Sequence, residues 1–342
     1  MAGGLGVIGA GSWGTTVAAT LARRAPTVLW ARRPEMARAL NETRRNETYL
    51  PGIELPEGLS VTCELKEVAS WASALLVAVP SHGFRGVLED LAPHIDPRTA
   101  VVSLAKGIES GTNRRMTEVA AEVLGDVPLG VLTGPNLARE IAEGQPAASV
   151  VALEDPRLAA MVQEALHGTT YRVYTSSDVV GCELAGAVKN VIALAAGMSD
   201  GLGFGENTRA ALITRGLAEL TRIGSALGGL PQTFSGLAGV GDLVATCTSP
   251  MSRNRVVGLA VGRGEPLEEV VAGMRMVAEG VKTAAPLVRL ADEMGVEMPI
   301  AEQVAAIVEG RTSPMDALVI LMGRAPRAEP EEGPSPASFS AG

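Results

Sequence analysis

The sequence predicts an α/β domain built on a mostly parallel sheet, followed by an all-α domain. Three observations predict it. Short, continuously apolar runs alternate with helical patterns through about residue 175, a glycine-rich loop closes the first run, and strand patterns cease after about residue 178. Apolar runs that do not alternate suit a parallel sheet covered on both faces. The helical segments between them supply the crossovers that such a sheet needs.

The runs read as strands are 5–8, 28–30, 74–79, 100–104, 129–132 and 149–152. The first leads into Gly9-Ala10-Gly11-Ser12-Trp13-Gly14 and then a helical pattern from Thr15. In such a loop Gly9 permits a tight turn, Gly11 lets a pyrophosphate approach the backbone, and Gly14 lets helix and strand pack closely. The free N–H groups and dipole at the helix start favour phosphate. A glycine-rich turn without a ligand is the bland alternative, and the strand–loop–helix setting argues against it. The second strand ends in Arg32 and Arg33, where an acidic residue commonly bonds the 2′-hydroxyl of NAD. Two arginines there suit a 2′-phosphate, so NADP(H) is the expected preference with NAD(H) possible; solvated surface charge is the other reading.

Ser176, Ser177 and Asp178 can cap a helix running to about Asp200. Further helices are expected near 206–228, 252–263, 265–274, 279–294, 299–309 and 314–322. From Ala325 onward, four prolines among Glu and Ser leave almost nothing apolar, which reads as disorder. The expected organisation is a dinucleotide-binding domain at 1–177, a helical substrate domain at 178–324 and a tail at 325–342.

Composition narrows the function. No apolar run approaches the ~18 residues of a membrane span, and no signal peptide is evident. Cys63, Cys182 and Cys247 are scattered, which suits a reducing cytoplasm and offers no metal-ligand set. A net charge of −9 with 3% aromatics speaks against nucleic-acid binding.

Of 29 basic residues only four are lysines: Lys66, Lys106, Lys189 and Lys282. Lys189 lies in 182–198, where Glu183 and Asn190 are the other polar residues, and a helix apolar on nearly every side is buried. Small residues on it, among them Gly186 and Gly197, would let neighbouring backbones come close. A central lysine is costly there unless it faces a polar cleft, and burial lowers its pKa toward acid–base use. A salt-bridged or snorkelling lysine is the alternative. Asp242, after Gly236, Gly239 and Gly241 in a flexible turn, can orient or balance Lys189, or cap a helix. Ser252 is a good N-cap, which puts Arg253 and Asn254 in a first turn, an anion site. Lys106 and Gly134-Pro135-Asn136 follow strands at the carboxyl edge of the sheet, where ligands of open α/β sheets bind. His82, His94 and His167 read as structural.

These segments together resemble the bacterial-type NAD(P)-dependent glycerol-3-phosphate dehydrogenases. The resemblance runs over about 5–323 and includes GAGSWGT at 9–15, GPNLARE at 134–140, ELAGAVKNVIALAAG at 183–197 and GLAGVGDLVATCTSPMSRNR at 236–255. It implies a Rossmann domain with a helical domain similar to that of 6-phosphogluconate dehydrogenase. It also implies hydride transfer between NAD(P)H and dihydroxyacetone phosphate, giving sn-glycerol 3-phosphate for phospholipid synthesis in a cytoplasmic homodimer. By the resemblance Lys189 is the general acid/base. Lys106, Gly134, Asn136, Asp242, Ser252, Arg253 and Asn254 match substrate positions. Gly9, Gly11, Ser12, Trp13, Gly14, Arg32, Arg33, Lys106, Ala138, Arg253, Val277 and Glu279 match coenzyme positions. One departure is Asn136, where the family usually has Ser or Thr. Rival readings are a hydroxyacid dehydrogenase of similar build and a non-catalytic dinucleotide sensor.

Overall fold

The computed structural model describes residues 4–326 apart from Arg275, so most of the expected tail lies outside the described residues. The strands are β1 (Gly4–Ile8), β2 (Thr27–Trp30), β3 (Arg45–Asn46), β4 (Leu50–Glu54), β5 (Leu59–Thr62), β6 (Ala72–Val77), β7 (Ala100–Ser103), β8 (Leu129–Thr133), β9 (Ala147–Leu153) and β10 (Tyr171–Ser176). Eight of them form one sheet in the order β10-β9-β8-β7-β6-β1-β2-β5, while β3 and β4 pair separately.

Between the strands lie α1 (Ser12–Ala22), α2 (Pro34–Thr43), α3 (Leu65–Trp71), α4 (Ser81–Leu91), α5 (Met116–Leu124), α6 (Ala138–Ala142) and α7 (Pro156–Leu166). They cover both faces of the sheet, burying Val7, Leu76, Val102 and Val151 on one and Ile8, Leu75, Val77 and Val101 on the other. The apolar runs that signalled a doubly covered sheet are therefore its central strands.

One expectation is corrected. The run at 149–152 belongs to a strand that pairs antiparallel with β8, from Gly130↔Leu153 to Thr133↔Val150. The 134–146 connection is long enough for a parallel return, but its helix, α6, has only five residues, about 7.5 Å of rise, so no helix carries the chain back across the sheet. The chain turns back at the carboxyl edge instead, and β10 then pairs parallel with β9. The sequence reading also passed over β5, β10 and the short β3–β4 pair, because each is brief or half-exposed.

Among the described residues every element after Ser176 is helical: α8 (Val179–Gly201), α9 (Glu206–Ala226), α10 (Pro231–Phe234), α11 (Asp242–Thr248), α12 (Arg253–Gly262), α13 (Leu267–Ala272), α14 (Glu279–Glu293), α15 (Pro299–Val308) and α16 (Pro314–Met322). The helix expected at 265–274 is only six residues long, started by Pro266 and ended at Gly273. Asp178 caps α8 by accepting from the Gly181 N–H at 2.8 Å.

By length and hydropathy α8 is long enough to cross a membrane, contrary to the reading of the apolar runs, yet 83% of its apolar window is buried inside the protein. It is the hub of the helical half. Glycines let α12 lie directly on it: a Cβ on Gly197 would sit 2.1 Å from the Arg255 carbonyl oxygen, and one on Gly258 2.2 Å from that of Leu194. Any larger residue would force these backbones apart. Glu183, on the same helix, is buried and accepts from the Thr117 N–H at 2.8 Å and from Arg115 at 2.8 Å. That clamp fixes α8 to the start of α5. Lys189 is ten residues beyond Val179, a rise of about 15 Å, enough to carry it back along the sheet to the carboxyl edge.

Candidate active site

Two lysines converge there on one buried carboxylate. Lys189 Nζ contacts Asp242 Oδ1 and donates to Thr246 Oγ1 at 2.8 Å. Lys106 Nζ donates to Asp242 Oδ2 at 2.7 Å and to the Gly134 carbonyl at 2.8 Å. Asp242 is 1% exposed, with both oxygens engaged. The turn expected around it is ordered differently: residues Leu237–Gly241 make a single π-helical turn, and Asp242 opens α11 rather than capping it. Thr246, one helical turn on, was missed by the sequence reading, although its spacing to Asp242 is a usable signal.

Burial pulls the Lys189 pKa down to about 7, helped by the like charge of Lys106 and opposed by Asp242. An ammonium has three protons to donate, and two of those on Lys189 are taken by Asp242 and Thr246.

Asn190 keeps this array in register. It donates to the Lys106 carbonyl at 2.8 Å and accepts from Asn254 at 2.8 Å, while Asn254 accepts from the Gly280 N–H at 2.9 Å. Ser252 Oγ accepts from the Arg255 N–H at 3.3 Å and so caps α12 as expected. The polar atoms of Asn254 are thus spent inside the protein, whereas Arg253, between the two, is exposed. A guanidinium beside the first N–H groups of a helix has the chemistry to hold an anion.

In the glycine loop after β1, Gly9 takes φ 111° and donates to the Trp30 carbonyl at 3.1 Å. A Cβ on Gly14 would lie 1.9 Å from the Gly9 carbonyl oxygen. The fold requires both. Gly11 is different: it has an ordinary φ of −72° and open space where a Cβ would be. The bare backbone therefore leaves room for a pyrophosphate above the start of α1, and the loop fits a dinucleotide. Ser12 begins α1, and Trp13 beside it has a buried indole N–H with no partner among the described residues. Ala138 begins α6 and is tied to α1 by Thr16, whose hydroxyl donates to its carbonyl at 3.1 Å.

Arg32 and Arg33 are exposed just past β2, where Pro34 opens α2 and Arg33 stays extended at φ −98°, ψ 123°. Glu279, two residues after Val277, opens α14 and accepts from the Ser81 N–H at 3.1 Å and from its hydroxyl. It reaches the coenzyme side of the cleft from the helical half. The structure thus gathers Lys106, Gly134, Lys189 and Asp242 at one point, and sets Arg32 and Arg33 apart at the second strand.

A glycine loop on a helix N-terminus, faced by a buried lysine–aspartate pair on a second, helical unit, defines a two-domain dinucleotide-dependent dehydrogenase. The comparisons agree. Family models for NAD-dependent glycerol-3-phosphate dehydrogenase match residues 4–159 with the N-terminal part and residues 178–319 with the C-terminal part. A Sphingopyxis alaskensis protein named as an NAD(P)+ glycerol-3-phosphate dehydrogenase is 54% identical over 91% of this chain and 94% of its own length. A Mycobacterium avium protein of the same name is 52% identical over 88% and 89%. The crystal structure of a Coxiella burnetii glycerol-3-phosphate dehydrogenase superposes with a TM-score of 0.90 at 40% identity, covering 94% of this chain and 99% of that one. The chain belongs to the NAD-dependent glycerol-3-phosphate dehydrogenase family.

Proposed function

We propose that this chain interconverts dihydroxyacetone phosphate and sn-glycerol 3-phosphate, with 1–177 serving the coenzyme and 178–324 the substrate. The observation that carries the reading is Lys189 paired to the buried Asp242, with Lys106 of the sheet's carboxyl edge on the same carboxylate and Arg253 beside Glu279. NADPH, which the glycine loop with Arg32 and Arg33 would hold, would supply a hydride to C2 of the ketone. Lys189, as an ammonium, gives its third proton to the oxygen that becomes the hydroxyl; in the oxidative direction its neutral amine takes that proton back. Asp242 and Thr246 fix the direction of the ammonium, and Lys106 balances Asp242 beside the substrate. Arg253 and the start of α12 receive the phosphate.

The test is coenzyme oxidation with dihydroxyacetone phosphate and with unphosphorylated dihydroxyacetone. Arg253→Ala should raise KM for the phosphorylated ketone roughly 10- to 150-fold, the scale of a lost hydrogen bond to a charged group. It should change the unphosphorylated ketone far less, and equal damage to both would place the phosphate elsewhere.

NADPH is the preferred coenzyme in this reading, with NADH accepted. Arg32 and Arg33 are exposed, and among the described residues Arg33 meets Glu35 and the Met36 sulfur at 3.9 Å each, contacts too long to hold its guanidinium. A planar fork is suited to a 2′-phosphate, and screening should make the preference moderate and salt-sensitive. The double change Arg32→Ala and Arg33→Ala should remove most of the gap in kcat/KM. Equal use of both coenzymes by the unmodified protein at low salt would rule this out.

We further propose a cytoplasmic homodimer whose product feeds glycerophospholipid synthesis. On α16, Val319 is 65% and Met322 77% exposed, beside a cavity of about 480 Å³ lined by Leu212, Ile300, Leu318 and Leu321. Such an apolar patch suits a second copy. Sedimentation at twice the chain mass is expected, and a monomer at micromolar concentration would count against it.

A further inference from the structure

At the carboxyl edge of the sheet lies a hydrogen-bonded relay outside the lysine–aspartate array. Tyr171, 4% exposed at the start of β10, donates its phenolic proton to Ser149 Oγ at 2.6 Å. Ser149, buried on β9, donates in turn to Asn136 Oδ1. The reversal at β9 brings them together. Because β9 runs back from that edge and β10 follows it in parallel, Tyr171 pairs with Ala147 while Val150 pairs with Thr133. The three side chains therefore meet next to Gly134, whose carbonyl holds Lys106.

The direction of the relay is forced. The buried phenol stays protonated, and Ser149 Oγ is its hydrogen-bond partner among the described residues, so its one proton points there. Ser149 Oγ accepts that proton and retains only its own to pass on. The group facing it must accept, so the amide of Asn136 turns its carbonyl toward Ser149 and its nitrogen away. That nitrogen is buried and without a partner among the described residues. A buried donor left unpaired is costly and calls for an occupant.

We propose that Tyr171 and Ser149 are positioning residues that lock the Asn136 amide with its nitrogen toward the substrate. Its N–H then reads the hydroxyl oxygen on the unphosphorylated end of the ketone. The inference rests on dihydroxyacetone phosphate occupying this cleft with its phosphate at Arg253. A hydroxyl at the position usual in the family needs no such lock, since it can turn to give or accept. An amide has distinct ends, and only one of them donates.

The experiment compares dihydroxyacetone phosphate with its 1-deoxy analogue, in which a methyl replaces the hydroxymethyl end. The unmodified enzyme should favour the hydroxylated ketone roughly 5- to 150-fold in kcat/KM. Tyr171→Phe keeps the ring but frees Ser149 to accept from the amide, so Asn136 can turn over. Part of that discrimination should vanish through a higher KM for the hydroxylated ketone, since a turned amide can still accept from the hydroxyl's own proton, with kcat and the deoxy substrate little changed. Ser149→Ala should act alike, and in an Asn136→Ala background Tyr171→Phe should have no further effect on discrimination. A Tyr171→Phe or Ser149→Ala enzyme that keeps full discrimination, or loses both substrates equally, overturns the relay. No turnover of dihydroxyacetone phosphate by the unmodified enzyme would instead overturn the reading of the cleft, and the relay with it.

Discussion

Lys189→Ala is expected to lower kcat for ketone reduction by ~10²–10⁴-fold, the usual share of a positioned acid or base. Coenzyme affinity should persist, because the glycine loop lies on the other side of the cleft. The fold should persist too, since Asp242 keeps Lys106 as its partner. The unmodified enzyme should show the same group in its pH dependence. With Lys189 near a pKa of about 7, reduction needs the ammonium and should fall as pH rises through that value. Oxidation needs the amine and should rise over the same interval. A Lys189→Ala enzyme with near-normal kcat, or pH profiles flat through neutrality in both directions, would remove Lys189 from the chemistry.

Asp242→Asn should harm both stability and catalysis. The carboxylate is buried between two ammonium groups, and removing its charge leaves those cations facing each other. Breaking a buried pair from one side costs about 3–5 kcal/mol, which denaturant unfolding would record as a lower midpoint. The catalytic consequence has a definite sign. Asp242 opposes the burial that pulls Lys189 down, so without it the ammonium gives up its proton more readily. The decline of reduction with pH should move to lower pH in the variant. An unchanged midpoint together with an unchanged pH profile would mean that Asp242 neither holds nor balances the lysine.

Much of the coenzyme side was legible from the chain alone. The glycine loop is a contiguous string whose spacing follows from a tight turn, a close approach and a helix start. The structure distinguishes those uses, since Gly9 and Gly14 are required by the backbone while Gly11 leaves space that only a ligand would need. The cap at Ser252 and the start of α8 at Asp178 were equally readable, because a side chain reaching an N–H two or three residues ahead is a local event.

The substrate side was legible only as a set of suspects. Lys189 stood out as a charge in an apolar helix, but its partner is 53 residues away and Lys106 meets the same carboxylate across 136. The Asn136–Ser149–Tyr171 relay spans 13 and 22 residues and depends on the reversal at β9, which apolar patterning does not encode.

What the sequence determined by itself is the class of fold, the dinucleotide loop and the identity of the anomalous lysine. These follow from periodicity, capping and the cost of burying charge, all of which act within a few residues. The tertiary structure alone decided which carboxylate two lysines share, which way β9 runs and which end of the Asn136 amide is free. Those outcomes depend on the packing of distant segments, where glycines on α8 and α12 set how closely backbones approach and a short α6 turns the chain back at the edge where the cleft opens.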